Sequence, residues 1–143
     1  MDKKEDLLTE IYQGAKMGDR AIQALLPKTE NLNFRSDLEK QGSKYCEIAK
    51  EAGSRLKNRG KIPEGPKMAA QIGLQTSLGL HTFMNKETSH LAELVINGSV
   101  MGITSLTKTV NTCGVEERYT KELADQLLKA QQDSIENMKR YLS

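Results

Sequence analysis

The chain has 143 residues, 37% apolar, 28% charged and 4% aromatic, with three prolines, no tryptophan and a formal net charge of +2. A chain of this length buries roughly 68% of the surface its unfolded form exposes, so residues 1–143 are read as one domain with its own core and wholesale disorder is excluded. The near balance of 21 basic and 19 acidic residues excludes nucleic acid or an anionic membrane surface as the compositional reading of its partners.

Cys46 and Cys113 stand apart, with no CxxC and no histidine at metal-ligand spacing, so neither a disulfide framework nor a zinc site is signalled and a reducing, cytoplasmic setting is expected. The opening MDKKEDLLTE mixes acidic with basic residues and leads into no apolar core, unlike a secretory signal. The longest uncharged runs, Met68 to Asn85 and Leu94 to Thr107, contain Gln, Asn, Ser and Thr throughout and are not read as membrane spans.

Helical spacing dominates the chain. Leu7, Leu8, Ile11, Ala15, Gly18, Ile22, Leu25 and Leu26 fall in one stripe at 100° per residue, with Asp2 and Glu5 as a capping box and Pro27 as the stop. Ser36 and Glu39 predict a second capping box. Beyond it Leu38, Gly42, Tyr45, Ala49, Ala52 and Leu56 step along one face, and Arg55, Lys57, Arg59 and Gly60 suit the carbonyl end of that helix. A third helical pattern runs from Pro66 to about Asn111–Gly114, which would span roughly 70 Å at 1.5 Å per residue if unbroken. It is expected either to extend as an arm or to break at Asn85-Lys86-Glu87-Thr88, with Asn85 as N-cap. The last helix is expected from about Val115 to Leu142, with Tyr119, Leu123, Leu127, Ala130 and Met138 inward and Glu116 and Glu117 favouring its start. Asn97-Gly98 is also a hairpin signal, but the flanking Leu94-Val95-Ile96 does not alternate and the chain offers no other strand, so helix is retained. The fold class is therefore all-α, an antiparallel four-helix bundle with the third helix long or broken near residues 85–88.

Residues 63–112 hold only Glu64, Lys67, Lys86, Glu87, Glu93 and Lys108 as charges, which places this segment at the centre of the architecture. Gly98 and Gly102 allow close backbone approach, either to a neighbouring helix or to a second subunit. The candidate interface is the segment 91–106, specifically Leu91, Leu94, Gly98, Met101 and Gly102. Its function on this reading is non-enzymatic, and its first expected partner is another copy of the chain, with an unidentified protein also open.

Glu87-Thr88-Ser89-His90 fits the Glu-x-x-His half-motif that gives one metal a carboxylate and an imidazole in di-iron bundles. A second copy is absent, because Leu78 stands three residues before His81. His81 and His90 lie 180° apart on an unbroken helix and meet at one ion only if the chain turns between them. Glu87, His90, Glu93 and Asn97 share one side of the helix, a strip that reads either as a solvated face or as polar groups shared with another subunit. The basic run Arg55, Lys57, Arg59 and Lys61 is accounted for by the helix terminus and lacks interleaved aromatics, so no nucleic acid is expected. No nucleophile–base pair or phosphate-binding glycine loop appears, and no enzyme class is signalled.

Leu25-Leu26-Pro27 closing the first helix, Tyr45 on the second, and the block Lys86 to Gly102 (KETSHLAELVINGSVMG) together resemble small bacterial four-helix proteins of the ferritin-like type. The resemblance covers most of the chain. It implies a ferritin-like bundle and, as the alternative function, a carboxylate and histidine metal site for iron, manganese or zinc, with Glu87 and His90 as ligands and Glu93 or a second subunit completing the set. The residues themselves signal no cofactor, and the missing second Glu-x-x-His departs from the family pattern.

Overall fold

Asp2 opens the first helix as expected: its carboxylate accepts from the Lys4 amide at 2.7 Å, and α1 runs Lys3–Leu25. The computed structural model describes residues 2–66, 87–114 and 117–143, where three more α-helices follow: α2 (Leu32–Asn58), α3 (Thr88–Cys113) and α4 (Arg118–Lys139). Among the described residues there is no strand, and Asn97-Gly98 lies inside α3. No described helix is long and apolar enough to cross a membrane.

Local chemistry moves several boundaries. The α-helical pattern stops at Leu25, and Pro27, which has no amide proton, sits in a 3-10 turn over Leu26–Lys28. α2 starts at Leu32 rather than at Ser36, because Asn31 Oδ1 accepts from the Phe34 amide at 2.9 Å and the fully buried Phe34 ring anchors the added turn. Arg35 then donates to the carbonyls of Leu26 and Thr29 at 3.0 and 3.2 Å, tying the α1–α2 turn. At the far end of α2, Gly60 takes φ +77°, and the amides of Gly60 and Lys61 return to the carbonyls of Lys57 and Leu56, each at 2.9 Å. That is the left-handed glycine stop the sequence predicts.

Glu87, inside the stretch 85–88 where a break is expected, has an extended backbone (φ −61°, ψ 139°) and immediately precedes α3. The cap is Glu87; Asn85, the expected cap, lies outside the described residues, as does His81. Glu117 opens α4, accepting from the amides of Tyr119 and Thr120 at 3.3 and 2.8 Å and from the Thr120 hydroxyl at 2.5 Å. Tyr119, expected on the inner face, is exposed instead. This first turn buries Thr120 in its place, one position round the helix.

Leu7, Leu8, Ile11, Ile22 and Leu25 of α1 close on Leu38, Ile48, Ala52 and Leu56 of α2, Leu91 and Leu106 of α3, and Leu123, Leu127 and Met138 of α4 in one apolar cluster. The α1–α2 contact is the most extensive, followed by α3–α4 and α1–α3. Its closeness rests on small residues: a Cβ at Gly18 would lie 3.0 Å from the Tyr45 ring, and one at Gly53 would lie 3.1 Å from the Tyr12 ring. Arg59 closes one end of this pair, donating to Asp2 at 2.5 Å and to Glu5 at 3.2 Å. Glu5 is thus turned toward α2. At the opposite end Asp37 of α2 receives the Tyr141 hydroxyl at 2.5 Å and the Arg140 guanidinium, while the Ser143 amide donates to Ser89 Oγ of α3 at 3.1 Å.

Candidate functional site

α3 differs from its neighbours in what it hides and what it leaves out. Its buried residues are Leu91, Ala92, Ser99, Leu106 and Cys113, a line of one position in seven beyond the first turn, flanked by Leu94, Val95, Ile96 and Val110 half-buried against the core. The hydroxyls of Ser99, Thr104 and Thr109 donate to the carbonyls of Val95, Val100 and Ser105 four residues back, at 2.8, 2.9 and 3.2 Å. These three hydroxyls are therefore served by their own helix. Ser105 also donates to Glu10 of α1 at 2.6 Å, which fixes the rotation of α3 on the bundle.

That rotation leaves Glu93, Asn97, Val100, Met101, Thr104 and Lys108 exposed, and at 100° per residue they occupy roughly 100° of arc. Val100 is 49% and Met101 73% exposed, at the middle of the stripe. The five residues expected at an interface divide. Leu91 is in the core of its own chain and Leu94 is half-buried against it. Gly102 faces Gln131 of α4, whose Nε2 would lie 2.6 Å from an added Cβ, whereas Gly98 faces open space and Met101 faces solvent. Asn97 belongs to the polar strip that the sequence offers for sharing with another subunit; Val100 and Thr104 join it at spacings of three and seven from Asn97.

Of the candidate metal ligands, Glu87 caps α3 and is exposed, Glu93 lies on the outer stripe, and His90 is half-buried on the first turn. Among the described residues no three His, Cys, Asp or Glu side chains come together as a metal-holding group.

Two further features carry polar chemistry. In the bundle interior the Ser134 hydroxyl donates to the Ala130 carbonyl at 3.0 Å, so the Tyr45 hydroxyl, 3.1 Å away, donates to Ser134. Burial pushes the Tyr45 phenol up, with the neighbouring hydroxyls of Ser134 and Ser99 pulling the other way. Gln41 and Gln131 are buried nearby along α2 and α4, and among the described residues neither end of the Gln41 amide has a hydrogen-bond partner. Polar residues at the inward positions 131 and 134 of α4 were the available sequence signal for this cluster. Between α1 and α2 lies an open groove of about 390 Å³, walled by Tyr12, Ala49 and Pro63 and rimmed by Lys16, Lys50 and Lys57. The Cys46 thiol on this groove is pushed up by burial and by Asp19, the opposite of what a reactive thiolate needs.

No protein-family model matches the chain, and neither a curated protein nor a solved structure matches it.

Proposed function

We propose that this protein is a non-enzymatic, antiparallel helical bundle of ferritin-like connectivity that associates with a second copy of itself through the outer face of α3. The connectivity is supported by pairs of contacts. α1 meets α2 at Asp2–Arg59 and at Ile22–Gly42, so the two run in opposite directions. α2 meets α4 at Asp37–Tyr141, Tyr45–Ser134 and Arg55–Tyr119, again oppositely. α3 meets α4 at Ser89–Ser143 and Gly102–Gln131. α2 therefore ends at the Asp2 end and α3 begins at the Ser143 end, which supports a ferritin-like order of the described helices.

The observation that carries the function is the exposed stripe itself: Val100 and Met101 in water, with one acidic and one basic residue at its two ends. A helix facing only water is ordinarily charged on that side, and exposed apolar surface rimmed by polar residues marks contact with another protein. The opposite charges at the ends make the stripe complementary to a copy of itself. Mass in solution across a concentration series tests it. Wild type is expected to form a dimer that Met101→Asp abolishes with an unchanged helical spectrum. A monomer at every concentration overturns the reading, and so does stoichiometric iron, manganese or zinc that His90→Ala removes from the purified protein.

A further inference from the structure

Resting on that reading, we infer that two copies pair through α3 antiparallel, about a two-fold axis passing between Val100 and Met101. The stripe is palindromic in position. Glu93 lies seven residues before Val100 and Lys108 seven after Met101; Asn97 and Thr104 lie three residues from Val100 and Met101 in the same sense. All six side chains are exposed on one arc of α3. Reversing a second copy about the centre therefore sets Glu93 against the partner copy's Lys108, Asn97 against its Thr104 and Val100 against its Met101, with each pair occurring twice.

A parallel pairing in register would instead set Glu93 against Glu93 and Lys108 against Lys108, like charges that repel at both ends. The polar pairs agree with the antiparallel sense. Thr104 already spends its proton on the Val100 carbonyl at 2.9 Å, so its oxygen is left as an acceptor for the Asn97 amide. Opposed helices also place each N-terminal dipole beside a C-terminal one. From Glu93 to Lys108 the seam is roughly 22 Å long at 1.5 Å per residue. With about six side chains from each copy, against about 20–30 in a standard interface, association is expected to depend on concentration in the micromolar range or above and to weaken with salt.

The decisive experiment uses the full chain and two charge variants. Glu93→Lys alone and Lys108→Glu alone each place like charges at both ends of the antiparallel seam and should raise the dissociation constant of the homodimer at least about tenfold in sedimentation equilibrium. Mixed one to one, they should form a heterodimer as tight as wild type, because every 93–108 pair then joins opposite charges. In a Cys46→Ser background, oxidation should link an Asn97→Cys copy to a Thr104→Cys copy and should not link Asn97→Cys to itself. A wild-type dimer with single variants unchanged, a mixture that stays monomeric, or self-linked Asn97→Cys would overturn the antiparallel register while leaving association through α3 standing. A wild-type monomer at all concentrations would remove both.

Discussion

α2 and α3 are nearly equal in length and meet solvent on opposite terms. α2 carries Arg35, Asp37, Glu39, Lys40, Lys44, Glu47, Lys50, Glu51, Arg55 and Lys57. α3 carries Glu93 and Lys108 alone. On α2 a continuous apolar stripe is buried and the remaining circumference is hydrated by charge, the ordinary amphipathic solution. α3 buries less and hydrates less. Between Glu93 and Lys108 its outward stripe is uncharged, and the hydroxyls of Ser99, Thr104 and Thr109 are turned back onto its own backbone. Hydration accounts for the outer face of α2; for that of α3 the proposed cover is a second copy of the chain.

The largest expected effect breaks the first half of the comparison. Phe34, fully buried at the start of α2 and edge-on to Tyr141 at 5.0 Å, is expected to cost about 3–5 kcal/mol on replacement by Ala, read as a lowered midpoint in urea. Met101→Ala on α3 should move that midpoint by no more than about 0.5 kcal/mol at concentrations where the protein is monomeric, because no cavity is left. Equal losses at the two positions would mean that α3 is packed as deeply as α2. Next in size is Gln41→Met. The buried amide has no partner among the described residues, so a thioether of similar shape should stabilise the monomer by about 1–3 kcal/mol. A loss of stability would show that Gln41 is satisfied through a bridging water.

The third effect depends on pH. Burial pushes the Asp37 carboxyl up, but the Tyr141 hydroxyl and the Arg140 guanidinium outweigh it and hold the group below its ordinary value. A carboxyl lowered in the folded state adds stability that is complete above the unfolded value, about pH 4, and is lost as pH falls through the folded one. The Glu117 cap, lowered by the Thr120 hydroxyl and amide, works in the same direction. Thermal unfolding followed from pH 7 to 2 should therefore show a loss of stability below about pH 4 that is shallower in Asp37→Asn. Parallel curves for the two proteins would exclude Asp37 as a source of that slope.

How far the sequence already carried this picture depended on the kind of signal. The apolar stripe of α2 survived intact: Leu38, Gly42, Tyr45, Ala49, Ala52 and Leu56 are all buried, as their spacing required. The glycine stop at Gly60 survived as well, since only a few residue types accept its backbone angle. Starts were harder to read. Ser36-x-x-Glu39 and Asn31-x-x-Phe34 are both plausible openings, and what separates them is the burial of Phe34, a tertiary fact. The face of α3 was legible only in part for the same reason. Its charge gap marked the segment, but which way Gly98, Met101 and Gly102 point depends on a rotation set by the Ser105–Glu10 bond and by α4. The buried Tyr45–Ser134 pair joins residues 89 positions apart and left only the polar positions on α4 as a trace.

The smallest effect sharpens the contrast within α3 itself. Gly98 and Gly102 are one turn apart and look equivalent in sequence. A methyl group at Gly98 meets nothing within 4 Å, so Gly98→Ala removes a flexible residue from a helix interior at no steric cost and should stabilise the monomer by about 0.5–1 kcal/mol. The same change at Gly102 gains the same helix propensity but must displace the buried Gln131 amide, whose nitrogen would stand 2.6 Å from the new carbon. Gly102→Ala should therefore fall below Gly98→Ala in unfolding midpoint, and Gln131→Ala in the Gly102→Ala background should narrow the gap by removing the obstructing amide. Indistinguishable single variants would mean that α3 is free to rotate on α4. In that case the outer stripe, which is defined by that rotation, would not hold still for a partner.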